Sequence, residues 1–157
     1  MSDYCPLVPP PTGDWQRAEW VDLMLDDLVT WAVVGLSGDP ARTAYSIAEL
    51  LQQRGKRIVP IHPRFADEPG ARVLGEQGYA TLADVPLAID VVDVFRRSES
   101  AGEFADQAVA VGARAVWFQL GVIDAEAFRR TTAAGVPMVM DTCPAIEWRR
   151  RVSTEPP

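Results

Sequence analysis

The sequence predicts an α/β fold in which helices cover both faces of a mostly parallel sheet of five or six strands. Short runs rich in valine, isoleucine and aromatic residues alternate with longer segments whose apolar residues recur at helical spacing. The short runs are apolar almost throughout, as strands buried on both faces are, and the longer segments can serve as crossover helices. The fold expected from this order is doubly wound.

Each strand and helix can be placed from its own pattern. The strand candidates are Thr30 to Leu36, Arg57 to Ile61, Ala88 to Phe95, Arg114 to Phe118 and Pro137 to Met140. The helix candidates between them are Thr43 to Arg54, Ser98 to Val111 and Asp124 to Ala134, and each is followed directly by a glycine. A leading helix is predicted from Asp14 to Leu28, with Asp14 as its N-cap. From Pro63 to Val85 we expect only a short helical turn and a short extended piece at Tyr79 to Thr81.

The length of the chain favours one domain. A chain of 157 residues can bury about 70% of its unfolded surface in a single core, whereas two cores would each have too few residues. We expect residues 14–150 to form this domain, with the leading helix included. Residues 1–13 are rich in proline and are expected to form an irregular arm, and residues 151–157 a C-terminal tail.

Composition and charge argue against several classes of protein. No apolar stretch reaches the roughly 20 residues of a membrane-spanning helix. Near the N-terminus the chain has Asp3 and several prolines, whereas a secretory signal has basic residues followed by an apolar segment. A cytoplasmic protein is therefore expected. The net charge of −7 disfavours nucleic acid as a partner. Cys5 and Cys143 lack metal-ligand spacing, so no metal site is expected; they could pair, but a reduced pair fits the cytoplasm better.

The loop after the first strand candidate has the composition of a phosphate-binding loop. Ligands of open parallel sheets bind beyond the carboxyl ends of the strands. Here Gly35 permits a tight turn, Ser37 offers a hydroxyl and Arg42 offers a fork of donors, while the next helix presents free N–H groups to an anion. The alternative is a glycine turn with a capping serine that merely joins a strand to a helix.

Two familiar nucleotide sites fit poorly. Ser37 stands where the second glycine of the G-x-G-x-x-G pattern would be, and the loop has no P-loop lysine. After the second strand candidate the chain reads Ile61-His62-Pro63-Arg64, without the acidic residue that holds the ribose of NAD. His62 is the only histidine of the chain, and we expect it to contact an adenine edge rather than to act in catalysis.

Six segments together resemble one family. They are Val33-Val34-Gly35-Leu36-Ser37, Arg42 with Tyr45, Val59 to Pro63, Asp90 to Arg96, Ala115 to Gly121 and Met140 to Glu147. From about Trp31 to Trp148 the chain is similar to the small CoA-binding proteins, whose Rossmann-like, doubly wound sheet is also that of the CoA-binding domain of the succinyl-CoA synthetase alpha subunit. The chain departs from the family pattern at His62, where asparagine is usual, and at Thr142, where arginine is usual.

The resemblance implies coenzyme A or an acyl-CoA as ligand and assigns roles by position. It implies that Gly35, Ser37, Arg42 and Tyr45 face the phosphates and that Pro60, His62 and Pro63 border the adenosine. It further places Val94 and Arg96 at the ligand crevice and Gln119 and Gly121 beside the pantetheine arm. Alternatively, Arg96 is only a solvent-exposed residue at the start of a helix. Gln119, likewise, only forms hydrogen bonds with the backbone of its own loop.

The function expected is CoA or acyl-CoA binding by a stand-alone, non-catalytic module that acts as a carrier, a sensor or a partner of an acyl-CoA enzyme. No catalytic residue is expected. Two alternatives stay open: a nucleotide-dependent enzyme component, either an NAD(P)-binding oxidoreductase or a CoA-ligase partner, and a protein-interaction module with a vestigial crevice. The protein partners left open are a second copy of the chain and an acyl-CoA enzyme, while a membrane is not expected. Cys143 is either an inert core residue or a thiol that meets the thiol of CoA.

Overall fold

The computed structural model describes residues 15–154. The expected N-terminal arm, Cys5 and the proposed N-cap Asp14 lie outside these residues. Within them the chain forms one five-stranded, wholly parallel sheet with helices on both faces. The predicted doubly wound α/β fold is confirmed, with the smaller of the two expected strand numbers. No helix of the described part is both long and apolar enough to cross a membrane.

The central sheet uses the five predicted apolar runs. Its strands are β1 (Thr30–Val34), β2 (Arg57–Ile61), β5 (Val91–Val94), β6 (Ala115–Phe118) and β7 (Met138–Val139). A separate antiparallel pair is formed by β3 (Arg72–Val73) and β4 (Glu76–Gln77). The strand order of the central sheet is β2-β1-β5-β6-β7. The chain therefore winds first to one side of β1 and then to the other, which creates a topological switch point between β1 and β5.

Among the described residues, five α-helices cover the sheet. They are α1 (Ala18–Asp22), α2 (Thr43–Gln53), α3 (Ser98–Ala110), α4 (Ala125–Ala133) and α5 (Pro144–Thr154). Helices α1, α2 and α5 pack on one face and α3 and α4 on the other. Successive strand residues point to opposite faces, so that Val33 and Trp117 join the first core while Val34 and Phe118 join the second. Helix α5 extends to Thr154, beyond the expected start of a tail at residue 151.

The leading helix differs from the one predicted over residues 14–28. Helix α1 gives way to a π-helical turn at Leu23–Asp27, and Leu28 is already extended. The buried Lys56 donates from Nζ to the carbonyl of Leu28 at 2.7 Å, so an ammonium group satisfies the carboxyl end of this turn. Burial lowers the pKa of Lys56, and the charges of nearby carboxylates oppose that shift.

Both edges of the sheet carry an added hydrogen bond. On the outer side of β2, Tyr79 makes an isolated parallel bridge with Ile61, the last residue of that strand, and the Tyr79 N–H donates to the carbonyl of Pro60 at 2.9 Å. This bridge lies in the short extended piece predicted at Tyr79 to Thr81. At the other edge the N–H of Met140, just after β7, donates to the carbonyl of Trp15 at 2.9 Å.

Gly35 lies at the switch point, directly after β1. Its φ of +102° is in the left-handed region, and a Cβ there would lie 2.9 Å from the backbone oxygen of Phe95. The neighbouring amide of Phe95 donates to the carbonyl of Val34 at 2.9 Å. A side chain at position 35 would therefore force apart the two strand ends that the sheet holds together.

Asp93 is a buried polar residue in the middle of the sheet. It sits in β5 between Val33 and Trp117 and is fully buried. Its Oδ1 accepts a hydrogen bond from Gln119 Nε2 at 2.6 Å, while Oδ2 has no partner among the described residues. Burial raises the pKa of Asp93 to about 8, although the hydrogen bond from Gln119 favours the ionised form. Asp93 is thus largely protonated in the folded protein at neutral pH.

We expect Gly35→Ala to destabilise the fold by more than about 1 kcal/mol, because it combines left-handed strain with a backbone clash. Gly55→Ala is the matched control, since Gly55 also has a positive φ of +85° but nothing lies within 4 Å of an added Cβ. Urea unfolding of both variants measures the difference. An equal loss in both would mean that the approach to Phe95 costs nothing.

The titration of Asp93 should appear in stability. Between about pH 4 and pH 8 the folded state keeps the proton on Asp93 and the unfolded state loses it, so this group's contribution to stability falls as pH rises. The unfolding free energy of Asp93→Asn minus that of the parent chain should therefore increase with pH, by up to about 1.4 kcal/mol per pH unit. This difference should stop increasing above the pKa that Asp93 has in the folded protein. The exposed Asp84→Asn is the control, measured by urea unfolding across this range. A constant difference between Asp93→Asn and the parent would contradict the burial argument.

Candidate functional site

One crevice opens at the carboxyl edge of the sheet, beside the switch point. Its volume is about 800 Å³, within the range of roughly 300–1,000 Å³ typical of small-molecule sites. The loops after four strands, β1, β2, β5 and β6, and the amino ends of two helices line it. The lining residues are Gly35, Ser37, Ala41, Arg42, Thr43, Ala44, His62, Phe95, Arg96, Gln119, Leu120, Val122, Cys143, Ala145, Ile146 and Arg149.

The loop between β1 and α2 leaves the amino end of α2 open to the crevice. Asp39 Oδ1 accepts from the N–H of Ala41 at 2.9 Å, which stabilises the turn before the helix. The N-cap residue of α2 is Arg42, whose side chain makes no capping hydrogen bond. The helix dipole and the N–H groups of the first turn, at Thr43 and Ala44, are therefore available to an anion in the crevice.

Arg64 fixes this loop from the side of β2. Its Nη1 donates to the backbone carbonyl of Ser37, and its Nε donates to Glu68 Oε2 at 2.7 Å. A Cβ on Gly38, which has a φ of +101°, would come within 3.1 Å of the same Nη1. Arg64 thus connects the β1–α2 loop to the short 3-10 turn at Pro63–Ala66.

His62 is held as a neutral imidazole. Its Nδ1 accepts from the N–H of Arg64 at 3.1 Å, so in the neutral ring the proton is on Nε2. Burial lowers the pKa of His62, and the charges of Arg96, Arg64 and Arg42 lower it further. Arg42 and Arg96 also line the crevice, together with Arg149, in a chain whose net charge is −7. The mouth of the crevice is locally suited to a negative ligand.

Gln119 forms the polar part of the crevice floor. It is 4% exposed, and its only side-chain hydrogen bond within the described chain goes to the buried Asp93. Exposed Leu120 and buried Val122 follow it along the wall. This part of the crevice therefore offers one amide group next to two apolar side chains.

The start of helix α5 supplies the opposite wall. Cys143 immediately precedes the helix, is buried and is not in a disulfide. Burial raises the pKa of the Cys143 thiol, while hydrogen bonds from the backbone N–H groups of Ala145 and Ile146 lower it. Beside it, Trp117 Nε1 donates to the carbonyl of Thr142 at 2.9 Å, so the loop that carries Cys143 is tied to the centre of the sheet.

Six of the eleven residues proposed from the sequence lie together on the crevice, namely Gly35, Ser37, Arg42, His62, Arg96 and Gln119. The other five do not line it. Tyr45 packs against the first core, Pro60 and Val94 are buried in strands, Pro63 is exposed at the start of a 3-10 turn, and Gly121 is exposed with its N–H bonded to Asp141.

Sequence reasoning missed the wall formed by α5. Ala145, Ile146 and Arg149 belong to it, and Phe95 lines the crevice at the end of β5. The rule that ligands bind beyond strand carboxyl ends also applies to the segment after β7, so that segment could have been included. No local sequence pattern predicts that Asp93 is buried, because the residues that cover it lie on β1, on β6 and in the loop after β6.

A smaller cavity of about 470 Å³ adjoins the crevice and shares Arg42, Phe95 and Arg96 with it. Arg97, Glu99 and Ser100 complete its lining, at the amino end of α3. Arg97 is the N-cap residue of α3 and makes no side-chain capping bond. The positive character of the crevice mouth therefore continues towards α3.

The solved structures similar to this chain include a hypothetical protein from Pyrococcus horikoshii OT3. It is 28% identical, with a TM-score of 0.76 over 97% of this chain and 99% of that one. A dinucleotide-forming acetyl-coenzyme A synthetase of Ca. Korarchaeum cryptofilum, solved with phosphate and ADP, shares the fold at 21% identity and a TM-score of 0.62. That match covers 74% of this chain and 26% of the synthetase.

Sequence comparison gives the family. The uncharacterized protein YneT of Bacillus subtilis (strain 168) is 35% identical over 112 residues, which cover 71% of this chain and 79% of YneT. The model of the CoA binding domain family matches residues 29–149, a range that contains every strand of the sheet and every loop that lines the crevice. The chain belongs to the CoA binding domain family.

Proposed function

We propose that this chain binds coenzyme A or an acyl-CoA in the crevice beside the switch point, as a stand-alone module without bond chemistry of its own. One observation carries the proposal. Residues from the loops after β1, β2, β5 and β6 meet at a single crevice that Arg42, Arg96 and Arg149 line, and Arg64 is bonded to the carbonyl of Ser37 in the β1–α2 loop. This positive mouth, in an acidic chain, matches the phosphates of a nucleotide ligand.

The residues present fit the parts of CoA. Ser37, Arg42 and the open first turn of α2 would hold phosphate oxygens, because they offer a hydroxyl, a guanidinium group and backbone N–H groups. His62 would meet the adenine, with Nε2–H as a donor. Gln119 would face the amides of the pantetheine arm, and the apolar wall at Leu120 and Val122 would accommodate the arm or an acyl chain. When bound, CoA supplies a thiol that can carry an acyl group.

A binding role is favoured over catalysis by the titratable side chains on the crevice. His62 is the only imidazole, and its acceptor nitrogen is already used by the N–H of Arg64. Burial keeps Cys143 protonated, and no second imidazole of the chain exists to deprotonate it. A carrier, a sensor or a partner of an acyl-CoA enzyme therefore fits better than an independent enzyme, and the acyl-CoA partner enzyme would perform the bond chemistry.

We expect CoA to stabilise the protein more than NAD does, because the loop after β2 has His62 where NAD would require an acidic residue. At about 100 times its Kd, CoA should contribute about 2.7 kcal/mol and raise the Tm by about 5–10 °C. Thermal unfolding with each ligand at equal concentration measures the two shifts. An equal or larger shift with NAD would contradict the assignment.

Arg42→Ala should weaken CoA binding by about 1.5–3 kcal/mol, the range for hydrogen bonds to charged groups. The Arg42 side chain is 75% exposed and has only a long contact of 4.0 Å with Asp39, so its loss should leave the fold intact. Arg114→Ala is the matched control, since it removes the same charge at the amino end of β6, on the opposite edge of the sheet. Calorimetry that finds equal affinities in both variants would place the phosphates elsewhere.

A further inference from the structure

The side chain of Gln119 is anchored at one end of its amide group and unpartnered at the other. Gln119 follows β6, is 4% exposed and lines the crevice. Its backbone N–H donates to the carbonyl of Val94 at 3.3 Å, and its own carbonyl accepts from the N–H of Val122 at 2.8 Å. Its side-chain Nε2 donates to Asp93 Oδ1 at 2.6 Å, whereas Oε1 accepts no hydrogen bond from the described residues. An acceptor without a partner, on a side chain this deeply buried, calls for a donor from a ligand.

Asp93 determines which end of this amide is anchored. An amide group can turn either its oxygen or its nitrogen towards a given neighbour. Oδ1 of Asp93 is an acceptor here, so it selects the Nε2 end of Gln119 and leaves the Oε1 end directed away from Asp93. Burial raises the pKa of Asp93 to about 8, and the proton of the neutral carboxyl is on Oδ2 because Oδ1 accepts. Ionisation leaves Oδ1 an acceptor, so the same end of Gln119 is selected in both protonation states.

The stability of the fold does not account for this pair. Asp93 is fully buried in β5, whose other residues are all valine, and its Oδ2 has no partner among the described residues. A buried carboxyl with one unpartnered oxygen disfavours folding, whereas an apolar side chain at the same place would carry no such cost. The carboxyl therefore orders a side chain of the crevice without stabilising the sheet.

We propose that Asp93 is a positioning residue that turns Oε1 of Gln119 towards the crevice, so that the site selects ligands with an amide N–H group at that place. The inference rests on the proposed function and deepens it, because the pantetheine arm of CoA has amide N–H groups that can donate to Oε1. Asp93 acts only through Gln119, since it is fully buried and does not line the crevice.

The first measurement compares two ligands on two variants by calorimetry. Asp93→Leu removes the acceptor that anchors Gln119, so the amide can turn its Nε2 towards the crevice. We expect this variant to bind CoA about five- to tenfold more weakly, the effect of one hydrogen bond. Its affinity for 3′-phospho-ADP, the nucleotide half of CoA, should be unchanged, because that ligand lacks the pantetheine arm. Asp93→Asn keeps an acceptor oxygen for Gln119 and should bind CoA as the parent chain does.

The second measurement tests whether Asp93 acts through Gln119. Gln119→Met keeps the size of the side chain but has neither a donor nor an amide oxygen, so adding Asp93→Leu to it should lower the CoA affinity no further. On the unsubstituted chain, the donor is tested with CoA analogues in which an ester oxygen replaces a pantetheine amide N–H. At least one of these analogues should bind about five- to tenfold more weakly than CoA.

Two results with Asp93→Leu would overturn the proposal: an unchanged affinity for CoA, or an equal loss of affinity for CoA and 3′-phospho-ADP, which is the result of a merely structural role. If Asp93→Leu does not fold, the ester analogues decide, because equal affinities of CoA and every analogue for the parent chain would show that no N–H group is recognised. In each of these cases the parent chain still binds CoA, and the proposed function stands. If the parent chain binds no CoA, the proposed function fails and the role of Asp93 fails with it.

Discussion

The parallel pairing of β1 with β5 is the constraint on which the site depends. Two hydrogen-bonded strands end side by side, with the amide of Phe95 bonded to the carbonyl of Val34, and the chain then leaves them in opposite directions. The gap between the diverging loops becomes the crevice. Gly35 keeps the gap narrow at its base, because nothing larger fits against Phe95. The strand order thus determines where the site lies, before any single side chain contributes to its chemistry.

Charge at the site is organised locally, against the overall charge of the chain. Arg42, Arg64 and Arg96 come from three different loops, and each loop contributes only one or two basic groups. Arg64 also connects two of these loops through the carbonyl of Ser37, so the positive mouth is preorganised before a ligand arrives. The net charge of −7 belongs to the chain as a whole, whereas a small anion at the crevice meets mainly the local field of these groups.

The sheet and its loops were predictable from the sequence, because buried parallel strands read as apolar runs and helices end at glycines. The end of α2 at Gln53, before Gly55, illustrates this. The π-helical turn at Leu23–Asp27 was not predictable, since the spacing of apolar residues there is that of an ordinary helix. The wall formed by α5 depends on how Trp148 docks on the first core, and the pairing of Asp93 with Gln119 joins residues 26 positions apart. Such features arise from tertiary packing, for which local patterns carry no signal.

The hydrogen bonds at the two sheet edges limit how this protein can meet other chains. An open edge strand is a template for adding a strand from a second molecule, which leads to aggregation or domain exchange. Here the backbone of Tyr79 occupies the outer side of β2 beside Pro60, and the backbone of Trp15 occupies the residue that follows the two-residue strand β7. Strand addition is hindered at both ends of the sheet. A strand of another chain could therefore not pair with the sheet at these two positions, and contacts with another molecule there would involve side chains and loops.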